Sequence, residues 1–270
     1  MMASVAEGRP DAWIVPDWPV GDRIGAVFTT REGGASALPF DGFNLGEHVG
    51  DDPAAVAANR QSLAGQIGRR PVFLRQVHGV QVARIDATCD DGQSADACLS
   101  TSADVACAIM VADCLPVLFA DRRSRAVAAA HAGWRGLAAG VLEAAVDALR
   151  QASAKDAGNL PPATDDIVAW LGPCIGPDAF EVGEDVRQAF LPFHGDVRPY
   201  VRPTEEGKYL ADLAGMARQR LHALGISGVY GNDGSVSWCT VTQSSRFFSH
   251  RRDARVLGSS GRMAACVWLR

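Results

Sequence analysis

No stretch of this 270-residue chain stays apolar for long. The longest such run, VACAIMVA at residues 105–112, falls far short of the roughly 20 residues that cross a bilayer, which argues against a membrane partner. There is no Cys-x-x-Cys. The seven cysteines are odd in number and scattered, so a reducing, cytoplasmic setting is expected rather than a disulfide framework. The opening MMASVAEGRPDAW has neither the basic start nor the apolar core of a secretory leader. Basic charge is not in excess: the net charge is -5, which argues against a face that displaces counterions from nucleic acid. Neither G-x-G-x-x-G nor G-x-x-x-x-G-K-[ST] occurs, so no dinucleotide or nucleoside-triphosphate loop is supported. No histidine is followed two residues on by glutamate, which removes the usual signature of zinc nucleobase deaminases.

What is present is an alternation of strand and helix patterns. IGAVFTT (24–30) reads as a strand leading into the Gly-rich REGGAS. Residues 51–67 read as a helix, capped by Asp51 or Asp52 with Pro53 in its first turn. A strand at 70–77 stops at His78-Gly79, and 81–86 reads as its return strand. Strands follow at 104–111, 117–120 and 125–130, with a break at Asp113-Cys114 and His131 at the end of the last one. GLAAGVLEAAVDALRQA (136–152) has apolar residues at helical spacing. Residues 166–172 form a strand ending at GPCIG. Helices are expected at 184–193 and 209–225, and short strands at GVYGND, SVSWCTV and MAACVWL. Residues 153–166 look like an exposed loop. The pattern predicts an α+β fold, a single-domain α/β sandwich with mixed β-sheets flanked by helices. Residues 1–23 would be an N-terminal extension and 24–270 one catalytic domain.

Three residues stand out for position as well as type. His78, Cys114 and His131 each sit at a strand end, where side chains from rigid elements can converge. Two imidazoles and a thiolate suit Zn²⁺, and three protein ligands leave one position open, as in catalytic zinc sites. The bland reading is a buried thiol and two capping or core histidines. The spacing matches no short zinc-finger pattern. Asp113, beside Cys114, is a candidate proton carrier, with capping of a turn or helix as the alternative. In GPCIG, Cys174 could line a substrate pocket; a tight turn with a buried thiol is the simpler reading. Arg31, Arg75, Arg135, Arg251 and Arg252 stand beside these motifs, and one or two of them are expected to meet a substrate anion through the planar guanidinium fork.

The ordered set FNLGEHVGDDPAAVAANR, LRQVHG, ADCLPVLF, AAHAGWRG, WLGPCIGPDAFEVG, KYLADL and FFSHRRD…GRMAACVWL resembles the YfiH family, whose members have been called polyphenol oxidases, peptidoglycan editing factors and purine nucleoside phosphorylases. The resemblance runs from about Ile24 to Arg270. It implies that His78, Cys114 and His131 are the metal ligands and that sheets and helices form a sandwich. It further implies activity on adenosine, inosine and methylthioadenosine with phosphate, and adenosine deamination on the side. One departure is visible: His250 stands in FFSHRRD where relatives commonly have tyrosine.

The leading expectation is therefore a zinc-dependent purine nucleoside phosphorylase whose partners are a nucleoside and phosphate. A second class is a hydrolase that edits peptidoglycan precursors, using a metal or Cys114 as nucleophile with His78 or His131 as its base. A copper polyphenol oxidase ranks last. Two histidines and a cysteine can hold copper, but multicopper chemistry needs many more histidines than the six present.

Overall fold

Residues 105–111 are buried without exception, as in a strand covered on both faces. Val105, Cys107, Ile109 and Val111 join one apolar cluster, whereas Ala106, Ala108 and Met110 join another. That period of two sets this strand between two separate layers of core.

The computed structural model describes residues 11–155, 166–194 and 196–270. The chain runs β1 (Ile24–Phe28), α1 (Pro53–Ile67), β2 (Arg70–Phe73), β3 (Val82–Arg84), β4 (Ala97–Ser100), β5 (Val105–Val111), β6 (Leu115–Asp121) and β7 (Val127–Ala132). Then come α2 (Trp134–Ala139), α3 (Val141–Lys155), β8 (Ile167–Leu171), β9 (Glu181–Gly183) and α4 (Glu184–His194). The remainder is β10 (Val201–Pro203), β11 (Lys208–Ala211), α5 (Leu213–Ala223), β12 (Gly228–Gly231), α6 (His250–Leu257) and β13 (Met263–Leu269).

A mixed four-stranded sheet, β1-β13-β5-β2, packs on a mixed six-stranded sheet, β12-β8-β6-β7-β4-β3. Leu118, Ala120, Val127 and Ala129 of the larger sheet meet Val105, Cys107 and Ile109 of the smaller one in a shared core. The outer face of the small sheet is covered by Leu63 and Ile67 of α1. The outer face of the large sheet is covered by Leu142, Val146 and Leu149 of α3 with Met216 and Leu221 of α5. A three-stranded sheet, β10-β11-β9, lies to the side. This is the α+β sandwich expected from the sequence.

Several local expectations are corrected. The 136–152 helix is two helices, because Gly140 takes the left-handed conformation (φ 104) and caps α2. Residues 82–84 are not a return strand of β2; β3 lies in the other sheet, parallel to β4. The helix expected from 209 starts at Leu213, where Asp212 accepts from the Gly215 N–H at 2.8 Å and caps it. SVSWCTV forms no strand but a short 3-10 turn at Val236–Trp238. The strand that carries His131 runs one residue further, to Ala132. Of the proposed 1–23 extension, residues 1–10 fall outside the described residues. Trp13 is buried against Phe43 and Ile14 bridges Phe28, so residues 13 and 14 belong to the packed body. The expected 153–166 loop falls, over 156–165, outside the described residues. Among the described residues no helix is long and apolar enough to cross a membrane.

Candidate metal centre

The β6–β7 pairing brings two chemical groups to one rim of the sandwich. Pro116 pairs with His131, so Cys114, two residues before Pro116, lies just beyond the paired end. Both side chains follow the parity that faces the space between the sheets. His78 arrives from the loop after β2, with a left-handed backbone (φ 61). Such a conformation is uncommon for a residue with a Cβ, and here it is held from below. The Asp96 carboxylate accepts from the backbone N–H groups of Val77 (3.1 Å), His78 (2.8 Å) and Gly79 (2.7 Å). The same carboxylate lies 2.9 Å from Nδ1 of His131. One buried acid thus positions both imidazole segments.

The His131 bond to Asp96 leaves Nε2 for the centre of the site. His78, Cys114 and His131 offer ligand atoms that all lie within 4.8 Å of one another. Cys114 Sγ is 3.8 Å from His78 Nε2; a tetrahedral zinc with ordinary Zn–S and Zn–N bonds sets such atoms ~3.6 Å apart. Burial by itself would raise the Cys114 thiol, but the His131 imidazole, and then His78, outweigh it and bring the thiol down to about 6. Burial likewise opposes the charged form of His131, and the Cys114 sulfur and the Asp96 carboxylate overcome it, raising His131 to about 9. A thiolate and two oriented imidazoles form a donor set that fits a divalent ion. An acid behind a ligating histidine is the usual outer support of such sites.

Gly133 has an ordinary backbone (φ -64), so no left-handed conformation calls for a glycine there. A Cβ there would lie 2.9 Å from Cys114 Sγ and 2.9 Å from His78 Cδ2. The glycine is needed because α2 starts against Cys114 and His78.

The group opens on a cleft of about 750 Å³, within the range of small-molecule sites. Arg75, Arg135 and Arg251 line it. Arg75 bonds Ser94, Arg135 lies over the Trp134 ring at 4.2 Å, and Arg251 donates to the Glu181 carbonyl at 3.0 Å. Three residues named as candidates to meet substrate are elsewhere. Arg31 pairs with Asp41 at 2.7 Å and donates to the Ser244 carbonyl. Cys174 is buried beside Asn232, and burial pushes its thiol up. Arg252 turns inward to Asp253 and to the carbonyls of Thr240 and Phe247. Asp113 (φ 88) lines the cleft, but both its oxygens are engaged. Oδ1 accepts from Thr240 Oγ1 at 2.5 Å, and Oδ2 from the Arg251 N–H at 2.6 Å in the first turn of α6. These bonds describe the capping alternative.

The cleft also holds residues that sequence reasoning passed over, Arg60, Arg262 and His48, together with His250, the departure already noted, at the N-terminus of α6. Asp96 beneath it was missed as well. The one available signal was a charged residue at a strand boundary, Asp96 before β4 and Arg262 before β13.

Comparison with known proteins bears on this site. A family model described as multi-copper polyphenol oxidoreductase laccase matches residues 25–270. A purine nucleoside phosphorylase of Pseudomonas aeruginosa is 48% identical over 260 residues, covering 96% of this chain and 99% of the relative. Purine nucleoside phosphorylase YfiH of Escherichia coli is 45% identical over 259 residues, covering 95% and 98%. The crystal structure of Neisseria meningitidis protein NMB0706 superposes with a TM-score of 0.86 at 42% identity, covering 96% of this chain and 99% of that one. With its body matched almost end to end in sequence and in fold, the chain belongs to the YfiH family.

Proposed function

We propose that this protein is a zinc-dependent purine nucleoside phosphorylase acting on adenosine, inosine and methylthioadenosine, with adenosine deamination as a side activity. The observation that carries this reading is the His78–Cys114–His131 group in a cleft lined by arginines. The relatives named purine nucleoside phosphorylase support it. In the reaction a phosphate oxygen attacks C1′ of the ribose, the C1′–N9 bond breaks, and the purine leaves with the bonding pair and takes up a proton. A bound zinc supplies a Lewis acid for the charge that develops on the reacting groups. Arg75, Arg135 and Arg251 line the cleft from three segments and give positive potential over the incoming anion. Asp96 fixes the His131 ring and the backbone that carries His78, which limits reorientation during reaction. Two imidazoles and one thiolate suit zinc. Among the described residues they form the one such ligand cluster, fewer groups than multicopper oxidation requires.

Purified protein incubated with adenosine is expected to release adenine and ribose 1-phosphate only when phosphate is present, with about one zinc per chain. Cys114→Ala is expected to lose both the metal and the reaction. Equal release of base without phosphate overturns phosphorolysis. A second reading, a cysteine hydrolase acting on peptidoglycan precursors, is favoured by the low thiol value of Cys114 beside two imidazoles. It gains only if activity survives complete metal removal and is lost on thiol alkylation.

A further inference from the structure

Nucleosides carry no charge, so positive charge gathered in the cleft speaks of the second substrate. Five arginines line the cleft. Arg60 is neutralised, by Glu47 at 2.7 Å and Asp91 at 3.6 Å. The other four have no carboxylate partner among the described residues. Three of them spend contacts elsewhere, on Ser94, the Trp134 ring and the Glu181 carbonyl.

Arg262 is different. It is half-buried, and its Nη1 is tied back to the carbonyls of Ser260 (2.7 Å) and Gly261 (3.1 Å). Its Nε and Nη2 carry no bond among the described residues, and together they form the side edge that grips an oxyanion in two places. Burial lowers its basicity although Cys114 and Asp113 act on it in the opposite direction, so it stands within electrostatic reach of the donor group. A guanidinium withdrawn from water with an open edge costs free energy until an anion completes it.

The local backbone is built around this side chain. Arg262 N–H donates to Asn44 Oδ1 at 2.8 Å, and Leu45 N–H donates to the Arg262 carbonyl at 3.0 Å. Arg60 Nε donates to the Leu45 carbonyl at 3.0 Å, so both arginines are fixed to one residue. Gly46 then passes flat along the Arg262 stem, since a Cβ there would lie 2.8 Å from Arg262 Cγ. That close passage sets the turn Glu47–Val49, and with it His48, beside the guanidinium.

We propose that Arg262 and His48 form the subsite for inorganic phosphate, Arg262 through its Nε–Nη2 edge and His48 through a ring N–H. The assignment rests on the phosphorolysis reading for the identity of the anion. Binding of inorganic phosphate to the zinc-loaded full chain, by isothermal titration calorimetry, and the phosphate KM with inosine test it together. Arg262→Gln is expected to raise both the phosphate Kd and its KM by at least ~10-fold, with the inosine KM changed less than ~2-fold. His48→Gln, at an exposed position without a side-chain hydrogen bond among the described residues, is expected to raise both by ~3-fold. A folded Arg262→Gln protein with an unchanged phosphate KM overturns the subsite, while its continued phosphorolysis leaves the reaction standing. If that variant does not fold, unchanged constants in His48→Gln overturn the subsite instead. A wild type that cleaves nucleosides with water alone, yet binds phosphate through Arg262, keeps the subsite and removes phosphorolysis.

Discussion

The loops that carry His78 and Cys114 each rest on one buried carboxylate, and the two supports work differently. Asp96 holds the His78 loop by three backbone N–H groups and His131 by its ring nitrogen. Asp113 makes no bond to the thiol it precedes; it ties that loop to Thr240 and to the start of α6. The imidazoles are therefore aimed by a charge-assisted bond and an ordered turn, and the sulfur by backbone alone. An imidazole turns about its Cβ–Cγ bond, and for His131 the outer partner on Nδ1 fixes that rotation. A thiol one bond from its Cβ needs only the right chain path.

That contrast can be broken in order of expected effect. Asp96→Ala strips the acceptor from three clustered N–H groups and from His131, and should cost about 3–5 kcal/mol of stability and most of the bound zinc. Urea unfolding and metal analysis read both losses; a variant as stable and as zinc-rich as wild type would show that Asp96 does not position the site. Gly133→Ala is intermediate. Its Cβ presses on Cys114 and His78, so zinc affinity in a chelator competition should fall roughly 10–100-fold with a change in stability of about 1–3 kcal/mol. Asp113→Asn is the mildest, expected to lose about 1–2 kcal/mol and to keep its zinc. Loss of base release in that variant, with zinc and stability intact, would return Asp113 to the role of proton carrier.

Much of the scaffold was legible in the chain. VACAIMV, LPVLFA and MAACVWL are apolar on both parities, and all three became central strands because each is covered on both sides. The Asp52-Pro53 start of α1 was readable because capping is local. The single helix expected from 136 was wrong by one residue type: alanine and leucine favour helix throughout, yet Gly140 interrupts. Of the site, the three donors were visible as residue types at strand ends. Asp96 was not, since an acid in SADACLS looks like any loop acid until the 77–79 turn and β7 close over it. Arg262 went unnoticed for the same reason. The requirement for glycine at 133 was invisible too, because it lies in atoms of Cys114 and His78 that are remote in sequence.

By itself the sequence determined which segments are buried on both faces and which side chains could ligate a metal, because hydrophobic periodicity and ligand chemistry are properties of short stretches and single residues. Only the tertiary structure decided that those ligands meet, that Asp96 serves two of them, and that Arg262 faces the cleft with an open edge. Each of these depends on strand register and on loops from distant parts of the chain crossing one rim, which no local pattern encodes.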